Sequence, residues 1–258
     1  MKTISLTEMT WPEFARGLPH TVIALCVGSL EQHGPHLPLS VDSLIPYHLC
    51  LELGKKIPLF VAPPLYYGYR SSPSTGGGQS FPGTTSLSGQ TLILLLQDIL
   101  QDFLRQGCHR FLIMNGHFEN TPFISEAAYL VTAAHKDVKV VVVNWWDLVS
   151  ATTLEEIFPE GFPGWEVEHA SVVETSLVMH FRPDLVHAEL IPAQKGEKHK
   201  PRPLIFPEPA NLVPESGILY TAMGAGPDKG AAIAGEIVAR LDRIVADEFS
   251  LTLPNTPE

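Results

Sequence analysis

The run Val22-Ile23-Ala24-Leu25-Cys26-Val27 contains only apolar side chains, and Arg110-Phe111-Leu112-Ile113-Met114 is nearly as apolar. Unbroken apolar runs of this length are typical of strands buried on both faces, as in a parallel sheet. The residues 138–143 are mostly valine, which favours a third strand. Together the three runs predict the centre of a parallel sheet.

Segments with helical spacing separate the predicted strands. Apolar residues recur every three or four positions across 91–106, and Gly107 follows as a helix stop. Further helices are predicted at 122–134 and 229–249. Because strands and helices alternate, we predict an α/β fold with three α/β/α layers and a largely parallel central sheet.

Composition favours one large domain. The chain has 258 residues, of which 45% are hydrophobic and 17% are charged, and no low-complexity linker divides it. We therefore expect a single domain over residues 1–258. The net charge is −11, and Lys and Arg cluster only weakly, at 195–200, which we interpret as a solvated loop. This balance argues against nucleic acid or a membrane surface as a partner.

The cysteines and the N-terminal sequence predict a cellular location. Cys26, Cys50 and Cys108 are odd in number and lie in apolar or helical contexts, as expected for unpaired thiols in a reducing compartment. No stretch reaches the roughly 18 apolar residues that a membrane span needs, and the first residues lack the pattern of a secretion signal. We expect a cytoplasmic protein without a membrane segment.

Two short clusters of metal-binding side chains follow the first two apolar runs. They combine carboxylates with imidazoles and contain no nearby cysteine, which is typical of a hydrolytic metal centre rather than a structural one. Strand ends are also where open α/β sheets build their sites. Each residue alone could simply be a solvated group at a strand end. The five residues are Glu31, His33, Asp42, His117 and Glu119.

Asp42 is the natural bridging ligand in this set, because one carboxylate can hold two cations about 3.5 to 4 Å apart. We predict that one cation is bound by Glu31, Asp42 and His117. The other would be bound by His33, Asp42 and Glu119. Three protein ligands on each cation leave room for water.

A third cluster lies further along the chain, where Trp165 follows a glycine and His169 follows Glu168. A Trp on such a loop can close over a small ligand, and a His beside a carboxylate can be held in one tautomer and pass protons. An acidic loop with a surface Trp is the alternative interpretation. Trp146, after the third strand, is either core or the aromatic wall of a pocket.

The stretch 66–86 is too long for a simple connection and contains Gly76-Gly77-Gly78. It is a weak match to a phosphate-binding loop, because no Lys-Ser or Lys-Thr follows. A loop whose backbone approaches a small planar substrate fits better.

Several motifs resemble those of the creatininase (creatinine amidohydrolase) family, and the resemblance runs from about Thr10 to Val186. Two features of the sequence differ from creatininase itself. The segment Pro35-His36-Leu37-Pro38-Leu39 has the general form of the family, and Phe118 stands where a Tyr is usual, which bears on creatinine specificity. The matching motifs are Gly28-Ser-Leu-Glu-Gln-His-Gly-Pro-His, Gly76-Gly-Gly, Phe81-Pro-Gly-Thr-Thr-Ser-Leu, Asn115-Gly-His-Phe-Glu-Asn, Gly164-Trp165, Glu168-His169 and Glu174-Thr-Ser.

The resemblance implies an α/β/α fold and a cytoplasmic homohexamer. It implies two divalent cations on the five residues above, with Asp42 bridging: zinc at one position and manganese or zinc at the other, with iron equally compatible with the ligands. It also implies a proton-transfer role for His169, with Glu168 as a further site residue. Trp165 would lie on a moving lid. The implied substrate contacts are Trp165, Trp146, Thr75, Gly76 and Phe118.

We therefore expect reversible hydrolysis of a cyclic amide, creatinine to creatine, by a dinuclear metal-activated hydroxide. His169, positioned by Glu168, would protonate the departing ring nitrogen. Another amide hydrolase of the same family is the alternative, either a formamidopyrimidine deformylase or a peptidase acting on a modified peptide. A non-catalytic metal-containing scaffold is an alternative of a different class.

Overall fold

Four parallel strands form the centre of the fold. The computed structural model describes residues 4–18, 21–201, 203, 205–209 and 212–251. In this part of the chain the strands are β1 (Val22–Val27), β2 (Leu59–Val61), β3 (Arg110–Asn115) and β4 (Lys139–Asn144). They are ordered β2-β1-β3-β4, and every neighbouring pair is parallel. The predicted parallel sheet is confirmed.

Helices cover both faces of this sheet and form two layers. Successive residues of β1 point to opposite faces and pack against different layers. Ala24 packs in an apolar cluster with one set of helices, whereas Leu25 packs in a cluster with another set on the opposite face. Three layers result, as predicted. The first set contains α2 (Val41–Leu53), α5 (Ala151–Ile157), α6 (Val172–Phe181) and α7 (Pro227–Phe249), the second contains α3 (Gly89–Arg105) and α4 (Thr121–Ala134), and the short α1 (Trp11–Gly17) precedes β1.

The register of the central pair places the two predicted ligand clusters side by side. Val27 at the end of β1 is the partner of Asn115 at the end of β3, and Gly116 donates its N–H to the carbonyl of Val27 over 2.9 Å. Both strands are buried along nearly their whole length. The loops that follow them therefore leave the same edge of the sheet at neighbouring positions.

The other sequence expectations concern the cysteines and the membrane. Cys26, Cys50 and Cys108 are free and buried. Among the described residues, no helix combines the length and the apolar character that a membrane span requires. A single domain over 1–258 remains a prediction.

Candidate metal centre

Two glycines allow α2 to approach the strand ends. A Cβ on Gly116 would lie 1.9 Å from the carbonyl oxygen of Asp42, and one on Gly28 would lie 2.5 Å from the backbone nitrogen of Ser43. Any larger residue would push the first turn of α2 away from β1 and β3. This close contact brings Asp42 to the loops that carry the other predicted ligands.

His117, Glu31 and Asp42 form the first group. Nδ1 of His117 lies 3.1 Å from Oε2 of Glu31 and 3.1 Å from Oδ2 of Asp42. All three side chains are buried. The group coincides with the first predicted triad, and its ligand atoms are close enough together to hold one cation.

The second group forms around His33 and shares Asp42. Nε2 of His33 lies 3.0 Å from Oδ1 of Asp42 and 3.7 Å from Oε2 of Glu174. His169 also lies close enough to His33 and Glu174 to complete a three-residue group. Asp42 thus turns one oxygen toward each group, which is the arrangement expected of a bridging carboxylate.

Several of these atoms are buried without a hydrogen bond. Among the described residues, Oε2 of Glu31, Nε2 of His33 and Oδ2 of Asp42 have no hydrogen-bond partner, although the nearest donor or acceptor atoms lie only 3.0 to 3.1 Å away. Oε2 of Glu31 and Oδ2 of Asp42 face His117, and Nε2 of His33 faces the other oxygen of Asp42, in each case without being aligned for hydrogen bonding. Leaving buried polar atoms unpaired is costly, and a divalent cation would satisfy them. The donor set therefore fits metal ions.

The backbone fixes which nitrogen of each imidazole faces its group. Nδ1 of His33 lies 3.1 Å from the carbonyl oxygen of Glu31, and Nε2 of His117 lies 3.1 Å from that of Tyr69. A carbonyl only accepts, so these nitrogens carry the protons. The lone pairs are then on Nε2 of His33 and Nδ1 of His117, as metal ligands require.

The carboxylates also govern the pKa of the imidazoles when no cation is bound. Burial lowers the pKa of His33, but Asp42 and Glu174 outweigh it and raise that pKa to about 10. Burial raises the pKa of Glu174 to about 7 in spite of the nearby His33. The site therefore concentrates negative charge that only protons or metal cations can balance.

Glu174, rather than Glu119, lies beside His33 in the structure, and Glu119 as a ligand of the second cation remains a prediction. Oε2 of Glu119 lies 3.2 Å from Nε2 of His117, on the other side of the ring from Asp42. Its Oε1 accepts hydrogen bonds from the backbone N–H of Ser72 (2.9 Å) and the hydroxyl of Thr75 (2.5 Å). These bonds hold Glu119 next to the first group.

The carboxylate of Glu168, which we expected to position His169, is engaged by the backbone of α6 instead. Its Oε1 accepts the backbone N–H of Val173 over 2.7 Å, so the carboxylate caps the first turn of α6. Burial, followed by the nearby Glu174, raises its pKa well above the usual range. The ring of His169 instead contacts Gln32, with its Nε2 lying 2.8 Å from the backbone carbonyl oxygen.

The glycine-rich loop contacts the site through Glu31. The backbone N–H of Gly77 and the hydroxyl of Ser71 both donate to Oε1 of Glu31, over 2.5 and 2.6 Å. A Cβ on Gly76 would lie 2.6 Å from the same oxygen. The loop therefore packs directly against the first metal group, and the predicted approach to a substrate through Gly76 and Thr75 remains a prediction.

Aromatic side chains wall a small cavity over the two groups. Phe118 stacks on Trp146 with ring centroids 5.6 Å apart, and Trp165 packs edge-on against Trp145 at 5.8 Å. The structure thus brings together Trp146, Trp165, Phe118, Thr75, Gly76, Glu168 and His169 around the predicted ligands.

The loop that carries Trp165 is held by the segment 195–200. Lys195 pairs with Glu160, and the backbone N–H of His199 donates to the carbonyl of Pro163 over 2.7 Å. The charged side chains of the segment are largely exposed, as expected, but the segment also fastens the loop before Trp165.

The parallel sheet, the strand-end location and the two ligand groups that Asp42 connects define an α/β/α protein with a candidate dinuclear metal centre. A family model described as "Creatininase: Creatinine amidohydrolase" matches residues 7–245. The chain belongs to the creatininase family, which confirms the resemblance found in the sequence.

Similar proteins cover the chain almost completely. A creatinine amidohydrolase of Pseudomonas putida is 38% identical over 97% of this chain and 99% of its own length. Solved creatininase structures match with a TM-score of 0.92 over 97% of this chain and 100% of theirs. They comprise a mutant complexed with creatine (38% identical), a mutant of Zn-Zn type (37%) and a Mn creatininase (38%).

Proposed function

We propose that this protein is a metal-dependent amidohydrolase that converts creatinine and water reversibly to creatine. The observation that carries the proposal is that Asp42 turns one oxygen to His117 and the other to His33, directly below an aromatic cavity that His169 also lines. The similarity to the Pseudomonas putida creatinine amidohydrolase supports the choice of substrate. Water would add to the ring carbonyl carbon while the bond from that carbon to the ring nitrogen breaks.

Two divalent cations in these groups would act as Lewis acids and lower the pKa of bound water toward neutrality. We propose Glu31, Asp42 and His117 as the ligands of one cation, and His33, Asp42 and Glu174 as those of the other. Zinc and manganese, or two zinc ions, are the proposed metals, and iron also suits these ligands. The similarity to structures of Zn-Zn and Mn type supports this choice.

His169 is the proposed proton carrier to the departing ring nitrogen. Burial, followed by the charge of His33, lowers the pKa of His169 to about 4, so its resting form is neutral. A neutral imidazole can take the proton that remains on the added hydroxyl group and release it to the leaving nitrogen.

Glu119 is the proposed proton acceptor for the attacking water. Burial raises the pKa of this carboxyl, and only one of its oxygens is engaged by Ser72 and Thr75. A carboxylate with a raised pKa beside a metal group is suited to general-base catalysis.

The aromatic walls would hold the flat ring and exclude water. Trp146 and Phe118 stack at one side, and Trp165 directly follows Gly164, which has a positive φ, as does Gly161 three residues earlier. We propose that Trp165 closes over the substrate, since glycines at such positions permit the loop to change conformation.

Replacing His169 with Ala tests the proposed mechanism. Creatinine turnover should fall by about 10² or more, while the metal content stays at the parent value. Turnover at the parent rate would show that His169 does not carry the proton.

The family resemblance supports a cytoplasmic homohexamer of single-domain chains, and light scattering of the purified protein checks its oligomeric state.

A further inference from the structure

Two hydrogen bonds hold the side-chain amide of Gln32 in one orientation. Its Nε2 donates to the carbonyl of Gly217 over 2.9 Å, and its Oε1 accepts the backbone N–H of Gly34 over 2.9 Å. If the amide were flipped, its oxygen would face the carbonyl oxygen of Gly217 and its NH₂ group would face the backbone N–H of Gly34. These two partners therefore fix which atom of the amide is oxygen and which is nitrogen. The amide thus ties the loop after β1 to the chain around Gly217.

Two glycines provide the space that this amide occupies. A Cβ on Gly77 would lie 2.2 Å from Nε2 of Gln32, and one on Gly217 would lie 1.9 Å from Oε1. Real Cβ atoms do not come this close to other heavy atoms. The glycine-rich loop and the chain around Gly217 therefore enclose the amide, and the side chain of Gln32 is only 6% exposed.

The backbone carbonyl of Gln32 faces the ring of His169. Nε2 of His169 lies 2.8 Å from this oxygen, and 3.1 Å from the amide nitrogen of the same residue. The carbonyl contact is the shorter of the two and a carbonyl only accepts, so we assign the proton of the ring to Nε2 rather than treating Nε2 as an acceptor for the second amide hydrogen of Gln32. Nδ1 is then the ring nitrogen left to exchange protons with a substrate. Gln32 thereby determines both the position and the tautomer of His169.

We propose that Gln32 is a positioning residue for His169. Its amide, locked by Gly217, Gly34 and the space at Gly77, holds the carbonyl that receives the Nε2 proton of His169. The catalytic consequence rests on the proposed function, in which His169 carries a proton. The structural consequence, a single Nε2–H tautomer, can be measured whatever the substrate is.

The variant Gln32→Met tests this role, because methionine has a similar length but cannot form the two amide hydrogen bonds. We expect kcat for creatinine to fall by roughly 10- to 100-fold, as a small displacement of a catalytic group produces, with KM and zinc content close to the parent values. In the zinc-loaded protein, nitrogen-15 NMR of the histidine side chains should show His169 as the Nε2–H tautomer. Gln32→Met should give a mixture of tautomers, with His169→Gln identifying the signal.

Gly77→Ala is a second route to the same state, since the new Cβ displaces the amide of Gln32 without changing that residue. Gly235→Ala on α7 is the matched control, because its Cβ meets nothing within 4 Å. Gly77→Ala should reproduce the loss of kcat and the tautomer change, and Gly235→Ala should show neither.

Parent kcat and an unchanged His169 tautomer in Gln32→Met would overturn the proposal, as would a loss of activity that follows a loss of zinc. If Gln32→Met does not fold, the same readouts on Gly77→Ala decide. If the parent protein itself does not turn over creatinine, the proposed function fails, and the NMR comparison still decides the role of Gln32.

Discussion

Oε2 of Glu174, at the start of α6, lies 3.7 Å from Nε2 of His33, in the loop after β1. The same nitrogen lies 3.0 Å from Asp42. We therefore expect Glu174→Gln to lose the second cation, with metal content falling from about two ions per chain to about one, because a three-ligand site loses a charged ligand. Elemental analysis after dialysis measures the change.

Glu119→Gln is the matched control for this prediction. It makes the same chemical change at a carboxylate that lies beside His117 rather than beside His33. It should keep both cations and lose activity. Metal loss in Glu119→Gln, with full metal content in Glu174→Gln, would restore the triad that the sequence suggested.

Thr75 should act through Glu119. Its hydroxyl donates to Oε1 of that carboxylate over 2.5 Å, and a hydrogen bond to a charged group contributes about 1.5 to 3 kcal/mol. Thr75→Val removes the hydroxyl and should lower kcat by roughly tenfold or more, while Thr75→Ser keeps the hydroxyl and most of the rate. Steady-state kinetics on metal-loaded proteins measures both, and equal rates in the two variants would contradict this role.

Trp165 should report substrate binding. It packs against Trp145 at 5.8 Å and against Phe162 at 4.8 Å, beside the cavity. Adding creatinine should change the tryptophan fluorescence of the parent, and Trp165→Phe should lose most of that change and raise KM. Trp11→Phe is the control, since Trp11 is 81% exposed on α1. A signal that persists in Trp165→Phe would place the response elsewhere.

Metal removal should destabilise the protein, because the cations bind the folded site and not the unfolded chain. At metal concentrations about 100-fold above Kd the stabilisation is roughly 2.7 kcal/mol, so chelation should lower Tm by on the order of 5 to 10 °C in a chain of this size. Added zinc should restore Tm. Asp42→Asn loses the shared ligand and should not respond to chelator or zinc, and a parent-like response in that variant would argue against bridging.

The sheet could be predicted from the sequence because β1 and β3 are buried on both faces. Their residues are apolar throughout, so the runs are visible without any tertiary information. The ligand clusters could be found for a related reason. Polar residues directly after buried strands must lie at the edge of the sheet, which is where Glu31 and His117 lie.

The partners of His33 and His169 could not be predicted in the same way. Glu174 reaches His33 only because α6 docks against α2 and α7, and sequence spacing says nothing about that docking. The two-residue spacing of His117 and Glu119 does not determine which imidazole nitrogen of His117 the carboxylate of Glu119 faces. Glu168 adjoins His169 in sequence, yet its carboxylate turns to the N–H groups of α6. These relationships depend on helix packing.

The central claim is that the two groups sharing Asp42 hydrolyse creatinine when they hold metal. Its most direct test is creatine formation by the protein loaded with zinc and manganese, measured beside a chelated sample and beside formamides, other cyclic amides and a modified peptide. We predict creatine formation that stops on chelation, returns with metal and exceeds turnover of the other amides. A fully metal-loaded protein that forms no creatine would contradict this account.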